Sequence, residues 1–172
     1  MIFNVAQLLK AHTGSTRVCL VRSEIENLDP EIVAVDVLSG QVRLLRTIDG
    51  VLVTGALSTS LGLVCDRCLE PFVQQVDIEL EDEFRPSIDI VSGASLPVSH
   101  DDEANIIDEH HILDLHEVVR QRILLSQPLH PLCRADCRGL CSNCGQNLNE
   151  GACACGETIA DPRWAALREL LG

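Results

Sequence analysis

Residues 41–58 read Gln41-Val-Arg-Leu-Leu-Arg-Thr-Ile-Asp-Gly50-Val-Leu-Val-Thr-Gly-Ala-Leu-Ser58. Two runs of largely alternating apolar and polar residues flank Asp49-Gly50, a pair that tolerates the positive φ angles of a type I′ turn and so marks a β-hairpin. Pairing Ile48 with Val51 across that turn puts Val42, Leu44, Ile48, Val53 and Leu57 on one face. Gln41, Arg43, Thr47, Thr54 and Ser58 fall on the other. One face is core and the other is wet.

Working outward, Val18, Leu20 and Ile25, then Ile32, Val33, Val35 and Val37, continue the β pattern, with Ser39-Gly40 read as a turn. Downstream, a strand near Thr59–Val64 runs into Cys65-Asp-Arg-Cys68. A further strand near Phe72–Phe84 leaves it with Val73, Val76, Ile78 and Leu80, so the cysteine pair caps a hairpin. Asn4–Lys10 fits one short helical turn. Asp114 reads as an N-cap with Glu117 closing a capping box, ahead of Leu115, Val118, Val119, Ile123 and Leu124 at helical spacing. Pro128 restricts Gln127 and ends that helix. A last helix opens with Asp161 and Pro162 and stacks Trp164, Leu167, Leu170 and Leu171. The class expected is α+β: an antiparallel sheet of about five or six strands, a meander or partial barrel, with a few helices and a zinc-braced C-terminal segment. Residues 1–85 form the mainly β part and 86–105 a flexible acidic linker, rich in Ser, Gly, Pro and acids. Residues 106–172 carry the helix, a cysteine-rich segment and a final helix packing back on the sheet.

The 172 residues carry 26 acidic against 13 basic side chains, a formal charge of -13 that repels polyanions over most of the surface. Phe3, Phe72, Phe84 and Trp164 are the only aromatics, too few for the stacking platforms of single-strand RNA binders. The sequence shows no long apolar run and no leader pattern at Met1–Lys10, so a cytoplasmic protein without membrane contact is expected.

In a reducing compartment nine cysteines point to metal or thiol chemistry rather than to disulfides. Eight form close pairs: Cys65/Cys68, Cys133/Cys137, Cys141/Cys144 and Cys153/Cys155. Two thiolates separated by two residues can grip one tetrahedral ion from a single turn. Gly145, directly after Cys144, is the glycine that lets backbone N–H groups of such a turn face the sulfurs. Zinc is therefore expected, two ions or at least one. One partition joins Cys141, Cys144, Cys153 and Cys155 locally and leaves Cys65, Cys68, Cys133 and Cys137 for a second site. Closing that longer loop costs only about 2 kcal/mol more, against roughly 10 kcal/mol or more from structural zinc. The alternative groups Cys133, Cys137, Cys141 and Cys144 and pairs the outer cysteines with one another. Eight thiolates with two Zn²⁺ contribute -4 and take the formal -13 to -17. Cys19, between Val18 and Leu20, reads as a small buried hydrophobe.

Arg67, Arg134 and Arg138 neighbour the cysteines and are placed to screen the thiolates; Arg120, Arg122, Arg134 and Arg138 together make the one candidate anion or RNA patch. Cys137-x-x-x-Cys141-x-x-Cys144 has the spacing of a radical-enzyme iron–sulfur motif, but the chain after Cys144 is far too short for the barrel such enzymes build. Cys65-Asp-Arg-Cys68 is flanked by strands rather than opening a helix, which argues against a thioredoxin-type pair. His110, His111 and His116 lie among Asp108, Glu109, Asp114 and Glu117 without the His-Glu-x-x-His spacing of a catalytic zinc helix, and read as solvated side chains. His130 is a reserve ligand. No convergent acid–base set is present, so no catalytic residue is assigned.

The chain carries Asn4-Val-Ala-Gln-Leu-Leu-Lys10, Gly14-Ser-Thr-Arg17, Cys65-Asp-Arg-Cys-Leu-Glu-Pro71, Ile123-Leu-Leu-Ser-Gln-Pro128, Pro131-Leu-Cys133, Cys137-Arg-Gly-Leu-Cys141, Cys144-Gly-Gln-Asn-Leu-Asn149 and Asp161-Pro-Arg-Trp-Ala-Ala-Leu167. In that order they resemble the YceD-like family, the large ribosomal RNA subunit accumulation proteins. The resemblance implies a non-enzymatic bacterial or plastid factor needed for normal levels of large-subunit ribosomal RNA. Its Cys-x-x-Cys and Pro-Leu-Cys elements carry over to Cys65, Cys68 and Cys133, whereas the C-terminal cysteine cluster belongs to some members only. The expected partner is a basic large-subunit ribosomal protein or a pre-ribosomal particle, with ribosomal RNA touched at most locally. A zinc-braced protein-interaction adaptor unconnected with ribosomes fits the same residues, and an RNA-binding or RNA-processing protein fits them less well.

Overall fold

The computed structural model describes residues 1–25, 29–30, 32–97 and 105–155. The final helix expected from Asp161 onward lies outside the described residues. The elements are β1 (Ile2–Asn4), α1 (Ala6–Lys10), β2 (Thr16–Ser23), β3 (Leu38–Arg46), β4 (Val51–Val64), β5 (Pro71–Pro86), β6 (Ile106–Ile107), β7 (Ile112–Asp114) and α2 (His116–Ser126). The seven strands form one sheet in the order β1-β7-β6-β5-β4-β3-β2. The pairs β2–β3, β3–β4, β1–β7 and β6–β7 are antiparallel, and β5–β6 is parallel. The α+β class with a mostly antiparallel sheet is as expected. Four strands, β2 to β5, are long; β1, β6 and β7 are two or three residues long, too short to leave a periodic signal, and Ile32–Val37 contributes only a single bridge from Ala34 to Leu61.

Two compact units interleave along the chain. The first is Met1–Leu63 with Val73–Leu129; the second is Val64–Phe72 with the chain from His130. In the first unit Val42, Leu44, Val51, Val53, Leu57 and Leu61 share one buried cluster with Val76, Ile78, Leu80 and Phe84 of β5. Each such side chain contributes roughly 1.5–3 kcal/mol through burial. Leu115, Val119 and Ile123, spaced four apart, and Val118 turn one stripe of α2 into the same cluster, and α1 adds Leu8 and Leu9.

The hairpin is present, but its turn is not type I′. Arg46 pairs with Val51, the amide of Thr47 donates to the carbonyl of Gly50 at 3.0 Å, and neither Asp49 nor Gly50 has a positive φ. Ile48, expected in the core, is therefore carried into the loop and is 81% exposed, while Val51 is fully buried. Gly50 is needed for a different reason: a Cβ there would stand 2.0 Å from the carbonyl oxygen of Phe84. Ser39-Gly40 is likewise not a turn but part of β3, paired with Ser58 and Leu57. Thr59–Val64 is not a separate strand, because β4 runs unbroken from Val51. On β5, Val73 shares its parity with Asp77 and Glu79 and faces outward, whereas the even positions Val76, Ile78 and Leu80 are buried. In β2, Val18 and Leu20 are exposed, and Cys19, partly buried, packs against the core.

α2 begins one residue later than its capping pattern predicts. Asp114 ends β7, held in the ladder opposite Ile2, so Leu115 takes the cap position with no side-chain cap. Asp114 still accepts the amide of His116 at 2.9 Å. Glu117 turns to Arg120 and Gln121 instead of back to the cap. Gln127 leaves the helix in an extended conformation, as Pro128 requires. Of the acidic stretch 86–105, residues 98–104 lie outside the described residues. Its first part is an ordered turn in which Asp89 accepts the amides of Val91 and Ser92 and Ile88 bridges Ser95.

Candidate metal centres

Both cysteine centres belong to the second unit. β4 delivers the chain to Cys65 and β5 takes it away from Pro71, so Cys65-Asp-Arg-Cys68 with Leu69 and Glu70 forms a tight connection. Its backbone is fixed by two hydrogen bonds: Leu69 N–H to Cys65 O at 2.9 Å and Cys65 N–H to Glu70 O at 3.0 Å. Cys141-Ser-Asn-Cys144 repeats that geometry. There Gly145 N–H donates to Cys141 O at 2.9 Å and Cys141 N–H to Gln146 O at 2.8 Å. In both turns the residue after the second cysteine is left-handed, Leu69 at φ 60° and Gly145 at φ 74°. Glycine takes that conformation freely; a leucine there signals a turn imposed by its surroundings.

Two groups of four thiols result: Cys65, Cys68, Cys133 and Cys137, and Cys141, Cys144, Cys153 and Cys155, each with its sulfurs all within 4.8 Å of one another. The grouping that mixes Cys133 and Cys137 with Cys141 and Cys144 is not the one found. Sγ separations of 3.8 Å for Cys65–Cys137, 3.7 Å for Cys68–Cys133 and 3.4 Å for Cys141–Cys153 lie near the ~3.8 Å edge of a tetrahedron with ~2.3 Å metal–sulfur bonds. The residues fit a tetrathiolate metal centre. The centres differ in their surroundings. Cys65, Cys68 and Cys137 are buried among Phe72, Leu132, Cys133 and Leu140, whereas Cys144 and Cys155 are exposed.

Protonation is uneven in each group. The backbone N–H of Cys133 aimed at Cys65 holds that thiol down to about 6. The N–H groups of Cys144 and Asn143 do the same for Cys141, again to about 6. Burial pushes Cys133 up to about 12. Cys155 rises to about 12 because its proton is held in a hydrogen bond to Cys144. Thiols held down and thiols pushed up thus sit side by side in each group, and four negative charges so close together need a cation to coexist. A divalent metal supplies it.

The environment of the first centre extends beyond its sulfurs. Asn149 donates Nδ2–H to Cys137 Sγ at 3.3 Å and thereby favours that thiolate. Arg67 donates to Cys137 O at 2.9 Å, and Leu140 N–H to Arg67 O at 3.1 Å. Asn149 went unrecognised in the sequence; the available signal was a short amide side chain in the loop joining two cysteine pairs. His130, held in reserve as a ligand, pairs instead with Asp66 at 3.1 Å.

The four arginines of the candidate anion patch fall in different units. In the first, Arg120 binds Glu117 and Asp29, both at 2.7 Å, and Arg122 binds Asp82 at 3.0 Å. In the second, Arg134 binds Asn149 Oδ1 at 2.7 Å, and the backbone amide of Arg138 binds the same oxygen at 2.8 Å. His110 stands beside Glu109 and His116 beside Asp114. Among the described residues, the two cysteine groups are the clusters able to hold a metal, and no described helix is long and apolar enough to cross a membrane.

The sequence pattern of the family described as "Large ribosomal RNA subunit accumulation protein YceD" matches residues 53–171, a span that contains all eight paired cysteines. An uncharacterised protein of Mycobacterium tuberculosis (strain H37Rv) is 34% identical over 146 residues, covering 83% of this chain and 67% of the relative. One from Mycobacterium leprae is 28% identical over 123 residues, 72% of this chain and 54% of the relative. The Zea mays protein named "Large ribosomal RNA subunit accumulation protein YCED homolog 1, chloroplastic" is 31% identical over 149 residues, 73% of this chain and 48% of that protein. No solved structure gives a significant match. With more than half of its length matched by the family pattern, and its motifs in the family's order, the chain belongs to the YceD family of large ribosomal RNA subunit accumulation proteins.

Proposed function

We propose that this protein is a non-catalytic assembly factor that promotes accumulation of large-subunit ribosomal RNA, and that two structural Zn²⁺ ions brace the unit it uses to dock. The observation that carries the reading is the pair of tetrathiolate groups inside the stretch matched by the family pattern. Four cysteines close a zinc coordination sphere and leave no open position for substrate, which is the signature of a structural rather than a catalytic ion.

The partner favoured is a basic protein of the large subunit, or a pre-ribosomal particle reached through one. Asp77, Glu79, Glu81 and Glu83 occupy alternate positions of β5, on the face opposite its buried side chains. With -13 overall, such a strip attracts cations over a long range and repels naked RNA. The carboxylate partners of Arg120 and Arg122 lower their value as phosphate ligands. Depletion in cells should lower mature large-subunit RNA relative to small-subunit RNA; an unchanged ratio would leave the ribosome-independent zinc adaptor. Binding to a basic large-subunit protein and to naked large-subunit RNA, each measured across a salt series, separates the two docking modes. Tight RNA binding with a steep salt dependence that collapses when Arg120, Arg122, Arg134 and Arg138 are reversed would sink the protein-partner reading.

A further inference from the structure

We propose that Asn149 couples the two tetrathiolate centres, acting as the positioning residue through which metal held by Cys141, Cys144, Cys153 and Cys155 strengthens metal binding by Cys65, Cys68, Cys133 and Cys137. The inference rests on the metal-binding reading above and adds to it a direction of influence between the sites.

By sequence Asn149 belongs to the second centre, in the loop between Cys144 and Cys153; by contact it serves the first. Its Nδ2 donates to Cys137 Sγ at 3.3 Å and to Asn147 Oδ1 at 2.9 Å. Its Oδ1 accepts from Arg134 Nη2 at 2.7 Å and from the Arg138 amide at 2.8 Å, on the two residues that each directly follow a cysteine of the first centre. Both amide hydrogens and both lone pairs are thus used, which fixes the orientation of the side chain. The loop backbone is tied to the same place: Leu148 N–H donates to Gly139 O at 2.9 Å, and Leu140 bridges Asn147.

A donor to a ligand sulfur tunes the metal it holds, and loss of such an outer partner typically weakens affinity 10–100-fold. Here the donor stands on a loop whose two ends carry the ligand pairs of the other centre. Metal in the second centre pins both ends. Without it, the loop keeps hydrogen bonds that lie near solvent and open readily, so the amide spends less time on Cys137 and apparent affinity at the first centre falls with that fraction. By linkage, metal in the first centre favours filling of the second to the same degree.

The test is zinc affinity of the full chain by chelator competition, for the wild type, a Cys153→Ser/Cys155→Ser variant, Asn149→Asp and their combination. It is read together with NMR of the cadmium-loaded proteins, one resonance per centre. Asn149→Asp keeps an oxygen for Arg134 and Arg138, so the loop need not collapse, but replaces the amide that donates to Cys137 and to Asn147 Oδ1 with a carboxylate oxygen that can donate to neither. Removing the second centre should weaken the first about tenfold, and Asn149→Asp should do likewise. Adding one change to the other should alter affinity by no more than about twofold, and Asn149→Asp should shift the first-centre cadmium resonance while leaving the second in place. First-centre affinity unaffected by loss of the second, or two effects that simply multiply, would overturn the coupling while leaving two metals bound. A wild-type chain that takes up fewer than two equivalents would overturn the metal reading itself.

Discussion

The sulfurs of Cys65 and Cys137 lie 3.8 Å apart although 72 positions of sequence separate them. The contact is made within the second unit, where the β4–β5 connection meets the chain that follows α2: the amide of Asp66 donates to Pro131 O at 2.9 Å, and the amide of Leu140 to Arg67 O. Long loops close at a cost that grows only logarithmically with length, so the extra cost of about 2 kcal/mol over the local centre is small against what a structural metal contributes.

Metal content is the most direct check. Protein purified without added metal should contain close to two equivalents of zinc by elemental analysis. Stoichiometric iron would contradict the zinc reading, and a single equivalent would remove one of the two centres.

The centres should separate by mutation. Cys68→Ala should lose the buried ion and speed hydrogen exchange both in residues 65–70 and in residues 131–137, because that centre joins them. Cys153→Ala should lose the other ion and loosen mainly the segment after Leu140. Cys19→Ala, whose sulfur lies in neither group, should keep the full metal content.

Leu69 is a leucine in a conformation suited to glycine, at φ 60° and 62% exposed. Replacing it with glycine should stabilise the metal-loaded turn by about 1 kcal/mol, read as an upward shift of the thermal midpoint. A loss of stability would mean that the Leu69 side chain contributes packing that outweighs the strain.

Gly50→Ala should destabilise the protein by about 3 kcal/mol, since the new methyl group meets the Phe84 carbonyl at 2.0 Å and the backbone must yield. Asp49→Gly should bring no stabilisation, because position 49 does not use a positive φ. Urea midpoints of the two variants decide the point.

Stability in acid should carry the signature of Glu117. Hydrogen bonds from Arg120, then Gln121, hold its carboxyl down to about 2 from an ordinary 4.5. A depressed folded pKa means a contribution present in full above the unfolded value and lost as pH falls from about 4.5 through about 2. Glu117→Gln should flatten the stability–pH curve in that window and leave it parallel to wild type at neutral pH. An unchanged acid limb would show that the pair does not hold in solution.

What the sequence determined by itself is local. Two cysteines with two residues between them, followed by glycine, set the turn at Cys141–Cys144; Pro128 set the end of α2; the alternation of β3 and β4 set which face of the sheet is buried. Each depends on interactions within a few residues, where spacing and backbone stereochemistry act directly. Tertiary structure decided the rest. The turn at Asp49-Gly50 looked like a question of φ, yet Gly50 is required by the approach of Phe84 on β5, a strand that begins only at Pro71. The Arg46–Val51 register left Ile48 in the loop and out of the core. No local rule places Leu69 in a left-handed conformation or brings Asn149 onto Cys137, because both follow from which cysteine pairs meet. The partition of eight similar thiols between two groups is a choice among nearly equal loop-closure costs, and in the fold Phe72, Leu132 and Leu140 pack around the buried Cys65, Cys68 and Cys137.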